Sequence, residues 1–168
     1  MKHLEIRYQK VSDAKRFLEI LSHPDFIYMP VKPKNLEAEK AFLRQNREKR
    51  KSNTVYNFSI IYKGELVGAI GVRINQNLKH VGEVGYFVDR DYWGKGIAPA
   101  AVTLLEEFSF GHLQLTRIEI LMLKKNKASQ RVAEKCEYRK EGIQRGKLLF
   151  NGKPHDAYSY AKTRRIGS

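Results

Sequence analysis

Cysteine is almost missing from this chain: Cys136 is the only one among 168 residues. No internal disulfide can form, so packing alone must hold the fold, and a reducing, cytoplasmic setting is expected. Cys136 itself falls in an amphipathic stretch and reads as a small buried apolar residue. No apolar run reaches the roughly 18 residues that a membrane-spanning helix needs, so no membrane partner is expected. The opening residues, Met1 to Arg7, lack the apolar core of a signal peptide. Acidic residues are scarce beside basic ones, 18 against 32, which leaves a formal net charge of +14. No helix-turn-helix, zinc-finger or ribonucleoprotein pattern accompanies that charge.

What is present suffices for one packed domain over residues 1–168, with 42% hydrophobic and 11% aromatic residues. The basic residues gather in three zones, residues 32–51, 124–135 and 139–153. Such zones raise the encounter rate with anions, whether a polyphosphate ligand, an acidic protein or nucleic acid. They equally describe a solvated basic surface. The charge does not choose.

Periodicity orders the elements. Leu4, Ile6 and Tyr8 alternate as a strand, and Val11-Ser12 reads as staple and N-cap of a helix with Ala14, Phe17, Leu18 and Leu21 on one face. His23-Pro24 interrupts it, and Pro30 and Pro33 mark an irregular passage before a charged helix over 36–51. Strands over 55–62 and 66–74 are joined by Lys63-Gly64-Glu65. Then follow a strand over 82–89, a helix over about 97–110, a strand over 116–123 and a helix over about 127–136. Strands over 145–150 and 156–162 close the chain. The order predicts an α/β (α+β) domain: a mixed sheet with helices on both faces.

The most informative stretch runs from Val84 to Ala98, where an aromatic strand breaks into Trp93-Gly94-Lys95-Gly96 and a helix begins at Ile97. Strand, glycine turn and helix start together gather backbone N–H groups where they can hold a phosphate or pyrophosphate. A P-loop is excluded, because one residue rather than four separates Gly94 from Gly96 and no Lys-Ser/Thr pair follows. A dinucleotide fingerprint is excluded too, since Pro99 stands where its third glycine would fall. A plain tight turn capping a core helix has the same spacing. Spacing alone leaves both open.

Three motifs then agree in order. Trp93-Gly94-Lys95-Gly96-Ile97-Ala98 resembles the acetyl-coenzyme A motif Gln/Arg-x-x-Gly-x-Gly/Ala of the GCN5-related N-acetyltransferase (GNAT) superfamily, with Trp93 departing from it at the Gln/Arg position. Asn126 to Lys135 is similar to the Asn-x-x-Ser-x-x-Val-x-Glu-Lys helix of its RimJ/RimL-type branch, the ribosomal-protein N-terminal acetyltransferases. Glu141-Gly142, Asn151-Gly152 and Asp156 to Tyr160 resemble that branch's closing hairpin. The resemblance implies a central sheet splayed between its two middle strands, here 82–89 and 116–123. It implies acetyl-CoA as cofactor, coenzyme A as product and no metal. Main-chain N–H groups of Gly94, Lys95, Gly96, Ile97 and Ala98 would hold the pyrophosphate beside Trp93. Main-chain groups of Phe87, Val88 and Asp89 would hold the pantetheine arm, as an added strand does. Asn126 would touch the cofactor, cap its helix, or both.

The resemblance also implies direct attack of a primary amine on the thioester. Ser129 matches the branch's general acid toward the coenzyme A sulfur, and otherwise reads as a capping or surface serine. The branch's candidate base, a glutamate, is replaced here by Leu148. Glu83 on the central strand can take that role through water, or be an ordinary paired strand carboxylate. Tyr86 reads as core. The implied acceptor is a protein or peptide N-terminal amine of the ribosomal type. The basic surface allows salt-dependent contact with the ribosome or an acidic partner, and the protein itself is expected as a monomer or homodimer. Small amines are the alternative within the enzyme class: a polyamine, an antibiotic or an amino-acid derivative. For the polyamine, Ala133 stands where that branch carries a tyrosine, and the basic surface repels a polycation. A non-catalytic coenzyme A binder or a basic RNA-associated protein is the alternative outside it. Cys136-Glu137-Tyr138 in place of the usual Gly-Phe favours that class, and the intact turn opposes it.

Overall fold

A computed structural model of the chain describes residues 1–29 and 31–164. Pro30, one of the two prolines expected to mark the irregular passage, lies outside the described residues. Fifteen short elements follow in order. Strand β1 (Leu4–Tyr8) leads through a 3-10 turn (Val11–Asp13) into helix α1 (Ala14–Leu21). Helices α2 (Leu36–Arg44) and α3 (Asn46–Lys51) precede strands β2 (Val55–Tyr62), β3 (Glu65–Ile74) and β4 (Val81–Val88). A second 3-10 turn (Arg90–Tyr92), helix α4 (Ile97–Glu107) and a π-helical turn (Phe108–His112) come next. Strand β5 (Arg117–Leu123), helix α5 (Lys127–Lys135) and strands β6 (Arg139–Phe150) and β7 (Lys153–Thr163) complete the chain.

The seven strands form one sheet in the order β1-β2-β3-β4-β5-β7-β6. Every pair is antiparallel except β4 and β5, which run parallel and touch only where Val81, Gly82 and Glu83 face Arg117, Ile118 and Glu119. Past Glu83 the two strands separate, because β4 stays paired with β3 as far as Val88 while β5 follows β7 to Leu123. The expected splay is there.

Helices cover both faces, and strand alternation decides which residue meets which. On one face Ala101, Val102 and Leu105 of α4 pack on Ile60, Ile70, Val72, Ile118 and Ile120, all buried. On the other, Ala14 and Phe17 of α1 and Leu43 of α2 pack on Ala69, while Ile20, Leu21 and Phe26 pack against Phe87. Gly68 makes the β3–β4 contact possible, because a Cβ there would sit 2.2 Å from the Phe87 carbonyl oxygen.

Three local expectations change. The helix over 36–51 is two helices that meet at Gln45. Just beyond, Asn46 is buried, its amide donating to Gln9 Oε1 at 2.8 Å and its carbonyl accepting from Asn57 Nδ2 at 3.0 Å, which fixes where α3 begins. Asp13, rather than Ser12, organises the entry to α1: it accepts from the Lys10 N–H at 2.9 Å, from Ser59 Oγ at 2.7 Å and from both Arg7 guanidinium arms at 2.8 Å. Strand β6 starts at Arg139, six residues earlier than its alternation suggests, because register shifts at Lys140/Gly142 and Gln144/Leu148 break the two-residue period.

Candidate active site

The glycine turn closes β4 and opens α4. Asp89 caps the 3-10 turn, its carboxylate accepting from Asp91 N–H at 3.1 Å, and the Arg16 guanidinium pairs with it from α1. Trp93 then folds back: its indole N–H donates to the Val88 carbonyl at 2.7 Å, while half of its surface stays exposed. Lys95 Nζ donates to the Asp91 carbonyl at 2.9 Å and lies 4.7 Å from the Tyr92 ring centre. Gly94 and Gly96 both have φ near +74°, left-handed values that side chains disfavour. The N–H groups of Gly94, Lys95, Gly96, Ile97 and Ala98 have no intramolecular partner among the described residues; the first amide to find one is that of Ala100, which reaches the Gly96 carbonyl at 3.2 Å. Pro99 has no N–H to satisfy. Five consecutive unpaired donors at the positive end of a helix form an anion cradle, which fits a pyrophosphate.

The open edge of β4 alternates. Asp89 N–H donates to the Val67 carbonyl at 2.7 Å and Asn75 N–H to the Val81 carbonyl at 2.9 Å. The hydrogen-bonded pairs with β3 therefore fall at Glu83, Gly85 and Phe87, and the main-chain groups of Val84, Tyr86 and Val88 face the widening gap toward β5. Of the three residues expected to hold a pantetheine arm, only Val88 faces that gap. Phe87 and Asp89 turn their main-chain groups to β3. Tyr86, read from sequence as core, supplies main-chain groups there instead.

Side chains alternate the opposite way round the sheet. Phe87 meets Phe17 and Phe26 on the α1 face, so Glu83, two pleats earlier, lies on that face too. Its register neighbours are Arg73 and Glu119; Glu119 is taken by Arg117 at 2.7 Å, whereas Glu83 has no ion-pair or hydrogen-bond partner among the described residues. Tyr86 lies on the other face, and its hydroxyl reaches Ser129 Oγ at 2.8 Å, across the opening between β4 and α5. Burial pushes the Tyr86 phenol up to about 12, with the Ser129 bond pulling slightly the other way. Asn126 caps α5, its Oδ1 accepting from Ser129 N–H at 3.1 Å. The cap occupies the oxygen of that amide, and among the described residues its Nδ2 group has no partner. Leu148 sits on β6 opposite His155, so no carboxylate approaches from the position where a glutamate would be expected.

One feature escaped the sequence altogether. The connection after α1 forms a strap across the open ends of β4 and β5. Asp25 pairs with Arg90 at 2.6 Å, and Phe26 packs edge-on against Trp93 with ring centres 5.8 Å apart. At the far side Tyr28 OH donates to the Lys125 carbonyl at 3.2 Å, next to Asn126. These contacts join residues up to 97 positions apart, which no local pattern announces.

The basic zone on α2 and α3 is only partly neutralised, by Lys40–Glu37 and Lys51–Glu48 pairs. Lys49 is pushed down by burial and by nearby Arg73. Among the described residues no helix is long and apolar enough to cross a membrane, and no cluster of metal-ligating side chains occurs.

Comparison with known proteins agrees with this geometry. Residues 3–139 match the family model described as an acetyltransferase (GNAT) domain. The chain is 32% identical over 120 residues to "Probable N-acetyltransferase YjcK" of Bacillus subtilis (strain 168), a match that takes in 70% of this chain and 66%, just under two thirds, of that protein. It is 28% identical over 103 residues to "L-amino acid N-acetyltransferase AaaT" of Escherichia coli (strain K12), covering 60% of this chain and 64% of that one. Among solved structures, the ribosomal-protein-S5-alanine acetyltransferase from Vibrio fischeri superposes with a TM-score of 0.86 at 27% identity, over 98% of this chain and 95% of the other.

Proposed function

The chain belongs to the GNAT acetyltransferase family, whose enzymes use acetyl-CoA, and from that premise we propose that it acetylates the N-terminal amine of a protein or peptide by direct attack in a ternary complex. The likeness to the S5-alanine enzyme supports a peptide amine as acceptor.

The observation that carries the reading is the division of labour between the two faces of the sheet at the opening past Glu83. Acetyl-CoA supplies the acetyl group as a thioester. The free amides of Gly94 to Ala98 hold its pyrophosphate, and Trp93 keeps their turn fixed to β4. The main-chain groups of Tyr86 and the Val88 N–H orient the pantetheine arm along the gap, and the Asn126 amide borders it. Glu83, uncommitted on the α1 face, draws a proton from the incoming ammonium through a water so that a neutral amine can attack. Ser129, on the α5 face, donates to the sulfur that leaves. Base and acid on opposite faces let amine and thiol occupy opposite sides of the reacting carbonyl carbon, so no covalent enzyme intermediate is required. The residual basic surface of α2 and α3 favours acidic or ribosomal surroundings for the acceptor.

A free amino acid is the second reading, favoured by the relative AaaT. Thiol release from acetyl-CoA, measured with short peptides starting in Ala or Ser, with free L-amino acids and with a polyamine, separates them. Peptide-dependent release supports the proposal. Release with amino acids alone replaces it, and release with no amine removes it.

A further inference from the structure

We propose that Tyr86 is the positioning residue that aims Ser129: its phenol donates to Ser129 Oγ and so turns the serine's own proton outward, toward the departing sulfur. The inference rests on the acetyl-transfer reading above and adds to it a residue that neither the family motif nor the sequence pattern assigns.

The geometry leaves the phenol little choice. Tyr86 Oη lies 2.8 Å from Ser129 Oγ and 3.4 Å from the Ser129 carbonyl, so both of its acceptors belong to the same residue. A buried hydroxyl without a partner is costly, and the shorter contact is the stronger bond. A phenol is also a better donor than an aliphatic hydroxyl, and an aliphatic hydroxyl the better acceptor. The bond therefore runs from Tyr86 to Ser129. Burial keeps the phenol protonated, and the titratable groups facing it are neutral as well: Cys136, pushed up to about 11 by burial, and Tyr138, raised for the same reason.

Ser129 is held from two directions as a result. Its N–H is fixed by Asn126 Oδ1 at 3.1 Å, which seats the first turn of α5, and its Oγ is fixed by Tyr86. With one lone pair occupied, the remaining proton must point away from Tyr86. A hydroxyl that accepts one hydrogen bond also donates a stronger one. In the transfer step a C–N bond forms and the C–S bond breaks; the new amide nitrogen gives up its surplus proton through the water beside Glu83, and the sulfur takes the Ser129 proton, which a water at the opening replaces in the same step, so Tyr86 keeps its own.

Two measurements test this. In the protein without ligands, tyrosine labelled with carbon-13 at Cζ reports the hydrogen bond of each phenol. Ser129→Ala is expected to shift the Tyr86 resonance, assigned by its loss in Tyr86→Phe. A Tyr86 resonance indifferent to Ser129→Ala overturns the proposal whatever the activity. In steady-state kinetics, Tyr86→Phe is expected to lower kcat roughly tenfold, about the value of one hydrogen bond, with KM for acetyl-CoA moved less than about twofold. The double variant should be no slower than Ser129→Ala alone. Independent, multiplying losses would mean that Tyr86 acts through general packing and would overturn the aiming role. Absence of any amine-dependent turnover in the unmodified protein overturns the acetyl-transfer reading and this role with it.

Discussion

The indole N–H of Trp93 donates to the Val88 carbonyl at 2.7 Å, which binds the glycine turn to the last residue of the central strand. That bond occupies the Val88 oxygen and holds five unpaired amides in one orientation beside the open edge of β4. Trp93→Phe keeps an aromatic ring against Phe26 and removes the donor together with the smaller ring of the indole. KM for acetyl-CoA should rise by roughly fivefold, the value of about one hydrogen bond, while kcat changes little. Initial rates at varied acetyl-CoA check it; an unchanged KM means the turn holds itself.

Gly96 is the residue from which α4 starts, with φ near +74°. A Cβ there meets nothing nearer than Met1 Cε at 3.5 Å, an ordinary contact, so the cost of Gly96→Ala is conformational. About 1–2 kcal/mol of stability should be lost, and coenzyme A should bind more weakly as the amides turn. Urea unfolding and calorimetric titration read the two effects separately.

Tyr28 spans the opening on the strap side by its bond to the Lys125 carbonyl. Tyr28→Phe should leave stability within about 0.5 kcal/mol, because the contact is exposed. On the proposed reading the acceptor enters from the α1 face, where the strap lies, so KM for the acceptor should change and KM for acetyl-CoA should not. Two-substrate kinetics distinguishes these outcomes, and a change confined to acetyl-CoA would place the strap on the cofactor side instead.

Asp13 is buried, and burial pushes its carboxyl up, but Arg7, the Lys10 N–H and Ser59 outweigh that and hold it below the usual carboxylate range. A carboxyl depressed in the folded state stabilises above its unfolded value near ~4, and that contribution fades as pH falls through the lower folded value. Asp13→Asn should cost on the order of 2 kcal/mol at neutral pH, less than a fully buried pair because the Arg7 side chain is 33% exposed. The gap between the two proteins should begin to narrow below about pH 4 and close only below the depressed folded value. Denaturant unfolding at several pH values measures it, and a gap independent of pH would assign the loss to packing.

The glycine turn, α4, α5 and the central strands could be read from sequence because each is governed by local spacing: left-handed glycines, Pro99 in the first helical turn, apolar residues at helical or alternating period. What stayed hidden depends on distant partners. The break at Gln45 precedes Asn46, which is bound to Gln9 and Asn57; the strap depends on Arg90 and Lys125. The β6 bulges erase the alternation that would mark its start. Tyr86 shows the limit most plainly. Its ring packs as the pattern implies, while its hydroxyl and its main chain face the opening, and only the register with β3 and the contact with Ser129 reveal that.

The most direct test is intact-mass analysis of an Ala- or Ser-starting peptide after incubation with the protein and acetyl-CoA, with fragmentation to locate the modification. Gain of one acetyl group on the peptide's α-amine, lost when the amine is blocked, is the predicted result. An unmodified peptide, or acetylation confined to lysine side chains, would contradict it.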